Sequence, residues 1–129
     1  MSIILGYVPN ERGEAAYAKA LSLAAELGQE LVIMNTSARH SHVDPMLATE
    51  STLDDLVHRA TAAGVPTRAE HNTDMDGPDA LIEASHAADA DMLVIGIRKR
   101  SQVGKLLLGS DAQRILLEAS CPVVAVKAH

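Results

Sequence analysis

The chain has 129 residues, of which 47% are hydrophobic, and it carries a formal net charge of −6 at pH 7. This length predicts a single domain over residues 1–129 with one hydrophobic core. An acidic chain whose only aromatic residues are Tyr7 and Tyr17 lacks the basic face and the stacking platform that nucleic acid binding requires.

Apolar runs alternate with helical patterns from the first residues onward. The first half of the chain predicts a buried strand over 2–8, a helix over 11–27, a strand over 31–35, a helix over 49–63 and a weaker strand over 65–71. Gly28 and Gly64 follow the two helices directly and are typical of helix ends.

The second half continues the same alternation. It predicts a helix over 78–89, a strand over 91–96, a helix over 110–120 and a strand over 122–127. Alternation throughout indicates a doubly wound α/β domain, a five-stranded parallel sheet with helices on both faces. The first and fourth strands are the most apolar and belong in the middle, which gives the order 3-2-1-4-5. The competing order is the flavodoxin-like 2-1-3-4-5.

The segment GIRKRSQVGKLLLGS, residues 96–110, gathers four of the eleven Lys and Arg residues of this acidic chain. In the predicted order it follows the strand at which the winding direction reverses, where such sheets bind ligands. A glycine at 96 lets a ligand approach the backbone, and the helix that begins at Gly109-Ser110 offers free amides to an anion. Arg98 and Lys99 would neutralise a phosphate. The predicted binding residues are therefore Gly96, Arg98, Lys99, Gly109 and Ser110.

A second interpretation of this segment needs no ligand. Ser110 and Gln113 have the spacing of a capping box, which by itself explains the serine. Asp111, in the first helical turn, would satisfy the helix dipole and repel a phosphate. The residues alone leave an anion site and a solvated loop as equally good interpretations.

Catalytic and metal-binding patterns are weak in this sequence. His40, His42 and Asp44 share a polar loop, but no second pair of ligands accompanies them. The chain has no G-x-S-x-G motif, and no Ser or Cys stands at recognisable spacing from a His. We therefore predict no catalytic residue, no metal and no enzyme activity.

The sequence also shows neither the pattern of a membrane span nor that of an export signal. No apolar run approaches the ~18 residues of a membrane span, and the amino terminus lacks the features of a signal peptide. Cys121 is the sole cysteine, so the chain forms no internal disulfide, as is usual in the reducing cytoplasm. We expect a cytoplasmic protein that binds neither membrane nor nucleic acid.

The motifs of the carboxyl-terminal third resemble those of the universal stress protein family. A strand ending in IG, a basic loop with a glycine, LLGS, a helix and a terminal CPVVAVK follow in the family's order, and the opening strand with its GEAA helix extends the resemblance along the whole chain. Nucleotide-binding members carry G-x2-G-x9-G-[ST]. Here Gly96, Gly109 and Ser110 match three of the four positions, whereas Lys99 replaces the second glycine. Val8-Pro9 stands where the family has an aspartate that contacts the nucleotide.

The resemblance implies a regulatory module that binds an adenine nucleotide such as ATP or AMP, or another phosphorylated small molecule. It also implies a homodimer joined through the fifth strand, a short apolar edge that only Lys127 blunts. The two replaced positions predict that the nucleoside is recognised less well than the phosphate. The alternative function is a dimeric stress or signalling protein that binds no nucleotide and acts through protein contacts.

Overall fold

The computed structural model describes residues 1–36, 48–72, 75–98 and 109–128, with the side chain of Arg98 not described. Five strands and four helices alternate in these ranges. The strands are β1 (Ser2–Tyr7), β2 (Glu30–Thr36), β3 (Thr67–Asn72), β4 (Ala90–Arg98) and β5 (Val123–Ala128). The helices are α1 (Glu11–Leu27), α2 (Glu50–Ala62), α3 (Gly77–Ser85) and α4 (Ser110–Glu118).

The five strands form one parallel sheet in the order β3-β2-β1-β4-β5. This confirms the predicted order and shows that the flavodoxin-like alternative is wrong. Leu5 of β1 lies at the centre, with Ile33 of β2 on one side and Val94 of β4 on the other. The two most apolar strands are thus neighbours because the middle of the sheet is covered on both faces.

Helices cover both faces of the sheet, as predicted. Side chains alternate along each strand, so Ile3 and Leu5 face α1 and α2 while Ile4 faces α3 and α4. Each face has its own apolar cluster. Ala20 of α1 and Leu56 of α2 belong to the cluster that also contains Ile3 and Leu5. In the described part of the chain, no helix is long and apolar enough to cross a membrane.

The bounds of α1 agree with the prediction because both of its ends carry local signals. The Asn10 side chain accepts hydrogen bonds from the backbone N–H groups of Arg12 and Gly13 at 2.9 and 3.2 Å, which is the usual N-cap arrangement. Gly28 ends the helix with a φ of 66°, in the left-handed region that glycine adopts most readily.

Helix α3 is shorter than predicted, since it ends at Ser85 and not near residue 89. The Ser85 hydroxyl donates to the Ile82 carbonyl and accepts from the backbone N–H of Ser120 at 3.0 Å. These contacts tie the end of α3 to the segment after α4. The chain then turns at once to enter β4 at Ala90, a tertiary requirement that helical periodicity does not contain.

Candidate functional site

A pocket of about 210 Å³ opens at the carboxyl edge of the sheet. It lies where β1 and β4 end side by side, with α1 leaving to one face of the sheet and α4 to the other. This reversal of winding is where open parallel sheets bind ligands. The structure therefore has a concave surface at the place where the sequence predicts the binding site.

The floor of the pocket is apolar. Leu81 of α3, Ile95 of β4 and Ile115 of α4 line it, and all three side chains are buried in the cluster that those helices share. Gly6 of β1 also lines the pocket. It packs closely against the floor, since a Cβ at that position would stand 2.8 Å from Leu81 Cδ1. Such a floor can pack against an apolar or aromatic part of a ligand.

Residues with polar side chains also line the pocket. Thr36 lies at the end of β2, Arg12 in the first turn of α1 and Asp111 in the first turn of α4. Arg12 is partly buried, and no carboxylate lies within ion-pair distance of its guanidinium in the described part of the chain. The lining therefore combines a positively and a negatively charged residue that do not form an ion pair with each other.

Gly96, the first of the predicted site residues, does line this pocket. A Cβ at Gly96 would stand 2.2 Å from the carbonyl oxygen of Arg12, far inside van der Waals contact. The glycine is therefore required for α1 to pack against β4, whether or not a ligand also approaches it.

The other predicted residues lie at or beyond the same edge. Gly109 and Ser110 are exposed at the start of α4, and the next two residues, Asp111 and Ala112, line the pocket. Arg98 is the last residue of β4. Lys99 and the rest of the basic loop over 99–108 lie outside the described residues, as do the loop residues His40, His42 and Asp44.

The capping box predicted for α4 is wrong. Gly109 is the N-cap and has no side chain that could accept a hydrogen bond, while Ser110 is the first helical residue. The backbone N–H of Gln113 donates to the Gly109 carbonyl at 3.0 Å, which fixes the helix in this register. Because the N-cap residue Gly109 has no side chain to accept from them, the first-turn amides of α4 keep the capacity to bind an anion.

Arg12 is a pocket residue that the sequence interpretation missed. The predicted binding residues all lie between 96 and 110, so none falls in YVPNERG, residues 7–13. A usable signal was present, because Asn10 is a good N-cap residue and places Arg12 in the first turn of a helix that starts at the carboxyl edge.

A network of polar contacts holds α1 in place below the pocket. The Tyr7 hydroxyl donates to Glu14 Oε2 at 2.8 Å, and burial together with this bond raises the pKa of Tyr7 above its ordinary value. The Arg59 guanidinium of α2 pairs with Glu14 at 3.6 Å and with Asp55 at 3.2 Å, and it lies 4.9 Å from the ring centroid of Tyr17. The first turns of α1 are thus tied to both β1 and α2.

Asn35 fixes the neighbouring edge of the site. Its side chain is fully buried; Nδ2 donates to the Tyr7 carbonyl at 3.0 Å, and Oδ1 accepts from the Ala48 N–H at 2.8 Å. The Ala48 carbonyl lies 2.7 Å from His71 Nε2. These bonds join the ends of three strands to the segment that enters α2.

Cys121 is unlike a reactive thiol. It is partly buried after α4, and burial raises the pKa of its thiol. Because the thiolate is the nucleophilic form, a raised pKa disfavours reactivity at neutral pH.

Comparison with known proteins identifies the same family along almost the whole chain. The model of the universal stress protein family matches residues 1–127. A universal stress protein from Mycolicibacterium smegmatis is 39% identical over 127 residues, which cover 98% of each chain.

Solved structures show the same fold. A universal stress protein from Archaeoglobus fulgidus has a TM-score of 0.77 at 26% identity, covering 98% of this chain and 93% of that one. The structure of the universal stress protein from Archaeoglobus fulgidus in complex with dAMP has a TM-score of 0.71 at 18% identity, covering 98% and 96%. The second likeness concerns the fold alone.

Proposed function

Because the chain belongs to the universal stress protein family, we propose that it is a regulatory module which binds an adenine nucleotide, or another phosphorylated ligand, at the carboxyl edge of its sheet. The observation that carries this proposal is the pocket between β1 and β4, with its apolar floor and, beside it, the start of α4, whose N-cap is a glycine without a capping side chain. The dAMP complex of a protein with the same fold supports it.

The parts of the pocket suit the parts of a nucleotide. The base and sugar would pack on the floor formed by Leu81, Ile95 and Ile115. The phosphate would meet the first-turn amides of α4, whose dipole favours an anion, and we expect Arg98 and Lys99 of the basic loop to add positive charge.

Binding should be weak and should depend on the phosphate more than on the nucleoside. Val8 lines the pocket directly after β1, and its side chain offers no acceptor to a ribose hydroxyl. The pocket volume of about 210 Å³ is also below the roughly 300–1,000 Å³ of pockets that enclose a drug-sized ligand. Both features predict poor selectivity for ATP over other phosphorylated compounds.

Calorimetric titration with AMP, ATP and pyrophosphate at low and high salt tests this function. We expect weak binding of all three that falls as salt screens the charges. Ala112→Leu, which fills the pocket from α4, should weaken AMP binding at least ~10-fold, by steric exclusion from a pocket this small. Ala18→Leu makes the same change at an exposed position of α1 and should leave binding unchanged. Tight, salt-independent binding of ATP alone would contradict the weak mode, and no binding at all would contradict the function.

The same samples test for catalysis, which we propose to be absent. ATP hydrolysis needs a group that orients the attacking water and ligands for Mg²⁺. Among the described residues that line the pocket, Asp111 is the only carboxylate. Phosphate release should therefore not exceed that of buffer, and sustained release that disappears in Ser110→Ala would overturn this expectation.

The second candidate function is a dimer that acts through protein contacts alone. The edge position of β5, with Val124 and Val126 only partly buried, favours it. A dimer in solution that gives no heat with any of the three ligands would select this alternative.

A further inference from the structure

Arg12 differs from every other arginine whose side chain the structure describes. Arg59 pairs with Glu14 and Asp55, Arg68 with Glu30 and Glu70, and Arg114 with Asp79 and Glu118. Arg12 has no carboxylate within 4.0 Å among the described residues. The chain is acidic, with 17 Asp and Glu residues against 11 Lys and Arg residues. Even so, Arg12 forms no ion pair with a described carboxylate, whereas the other three arginines do.

The position of Arg12 is fixed by the fold. Asn10 Oδ1 holds its backbone N–H at 2.9 Å, and its carbonyl oxygen occupies the space that a Cβ at Gly96 would take. The residue is thereby pinned between the end of β1 and β4, and it is the only Lys or Arg among the described residues that line the pocket.

We propose that Arg12 anchors the phosphate group of the ligand and makes the pocket selective for phosphorylated over unphosphorylated nucleosides, an inference that rests on the proposed function of this pocket. A guanidinium is permanently charged and presents its N–H donors in a planar fork that matches two phosphate oxygens. A ligand phosphate would pair with the Arg12 guanidinium in the way that carboxylates of the protein pair with the other three arginines.

Asp111 acts in the opposite direction. Asp111 lines the same pocket from the first turn of α4, where its negative charge would repel an anion that Arg12 attracts. The pocket therefore contains one side chain whose loss should weaken phosphate binding and one whose loss should strengthen it. An indirect effect of charge removal on folding would not move the two variants in opposite directions.

Titration of Arg12→Gln with AMP and with adenosine at low salt tests the inference. We expect AMP affinity to fall ~10- to 100-fold, the range of a charge-assisted hydrogen-bonded contact, while adenosine affinity stays within ~2-fold because no charged contact is lost. Asp111→Asn should strengthen AMP binding by ~2- to 5-fold, as for a partly screened charge pair. Arg68→Gln removes the same charge on the edge strand β3 and should bind AMP like the wild type.

The outcomes distinguish a failure of the role proposed for Arg12 from a failure of the function proposed for the pocket. If Arg12→Gln binds AMP as the wild type does, while Ala112→Leu abolishes binding, the role of Arg12 is overturned and the function of the pocket stands. If the wild type binds neither AMP nor adenosine, both are overturned. Arg12→Lys, which retains the charge without the fork, should bind AMP a few-fold more weakly; wild-type affinity in both Arg12 variants would contradict the inference. Matching thermal unfolding midpoints ensure that folded proteins are compared.

Discussion

At the scale of single residues, two glycines set the distance between α1 and the sheet. A Cβ at Gly13 would stand 1.6 Å from the Val8 carbonyl oxygen, and one at Gly96 would stand 2.2 Å from that of Arg12. Both contacts involve backbone atoms, which cannot rotate away as a side chain can. The close approach of α1 to β1 and β4 therefore depends on hydrogen in place of a side chain at both positions.

Gly13→Ala should destabilise the fold for this reason. The added methyl group must push α1 away from the turn after β1, an overpacking that costs ~1–3 kcal/mol. Urea unfolding followed by circular dichroism measures the loss. Ser22→Ala, an exposed substitution in the same helix, should change the free energy of unfolding by less than ~0.5 kcal/mol. Equal stability of Gly13→Ala and the wild type would contradict the packing role.

The site was only partly predictable at this scale. Gly96 could be placed at the carboxyl edge because a strand pattern ends there, but its contact with Arg12 joins two segments far apart in sequence. Arg12 is a similar case, because its place in the pocket depends on three chain segments that converge. The predicted N-cap, Ser110, is one residue away from the observed N-cap, Gly109. Sequence patterns do not place a helix end to within one residue.

At the scale of secondary structure elements, most of the fold was predictable. The central strands are mostly apolar where both faces are covered, with Ser2, Asn35 and Thr36 as buried polar exceptions. Helix α1 has an N-cap at Asn10 and a left-handed glycine at its end. Local chemistry therefore determined the strand order and the bounds of α1. The early end of α3 depends on the bond between Ser85 and Ser120, a tertiary contact that no local pattern reveals.

The fifth strand forms an edge of the sheet. It pairs with β4 on one side, and no other described strand pairs with it. Val124 packs partly against the apolar cluster below α1, and Lys127 is exposed. Unpaired apolar edges favour association with a second chain, so we propose a symmetric dimer through antiparallel β5 strands.

Light scattering of Val124→Lys tests this assembly. A lysine at the edge should convert the dimer to a monomer, because the charge opposes burial against a second strand. The structure shows that Val124 also contributes to the core, so a matched loss of packing is needed as a control. Val57→Lys on α2 introduces the same change at a partly buried position of the same cluster and should leave a dimer. A wild type that is monomeric at high concentration would refute the proposal.

At the scale of the whole molecule, the acidic net charge and the proposed anion site act over different distances. The charge of −6 opposes the approach of any nucleotide, but the screening length is about 10 Å at 0.1 M salt. Once a ligand is in the pocket, the nearest side chains and helix start decide its affinity. We therefore expect Arg12 and the amides of α4 to attract a phosphate even though the protein is acidic.

If the pocket at the carboxyl edge holds the ligand, the backbone amides of its glycines should respond to ligand binding. Gly6, Gly77 and Gly96 line the pocket, whereas Gly28 and Gly64 precede β2 and β3 at the opposite edge of the sheet. In ¹⁵N–¹H correlation spectra of the wild type titrated with AMP, the first three amide signals should shift together while the other two remain in place. Shifts confined to Gly28 and Gly64, or no shift of any of the five at saturating AMP, would contradict the account.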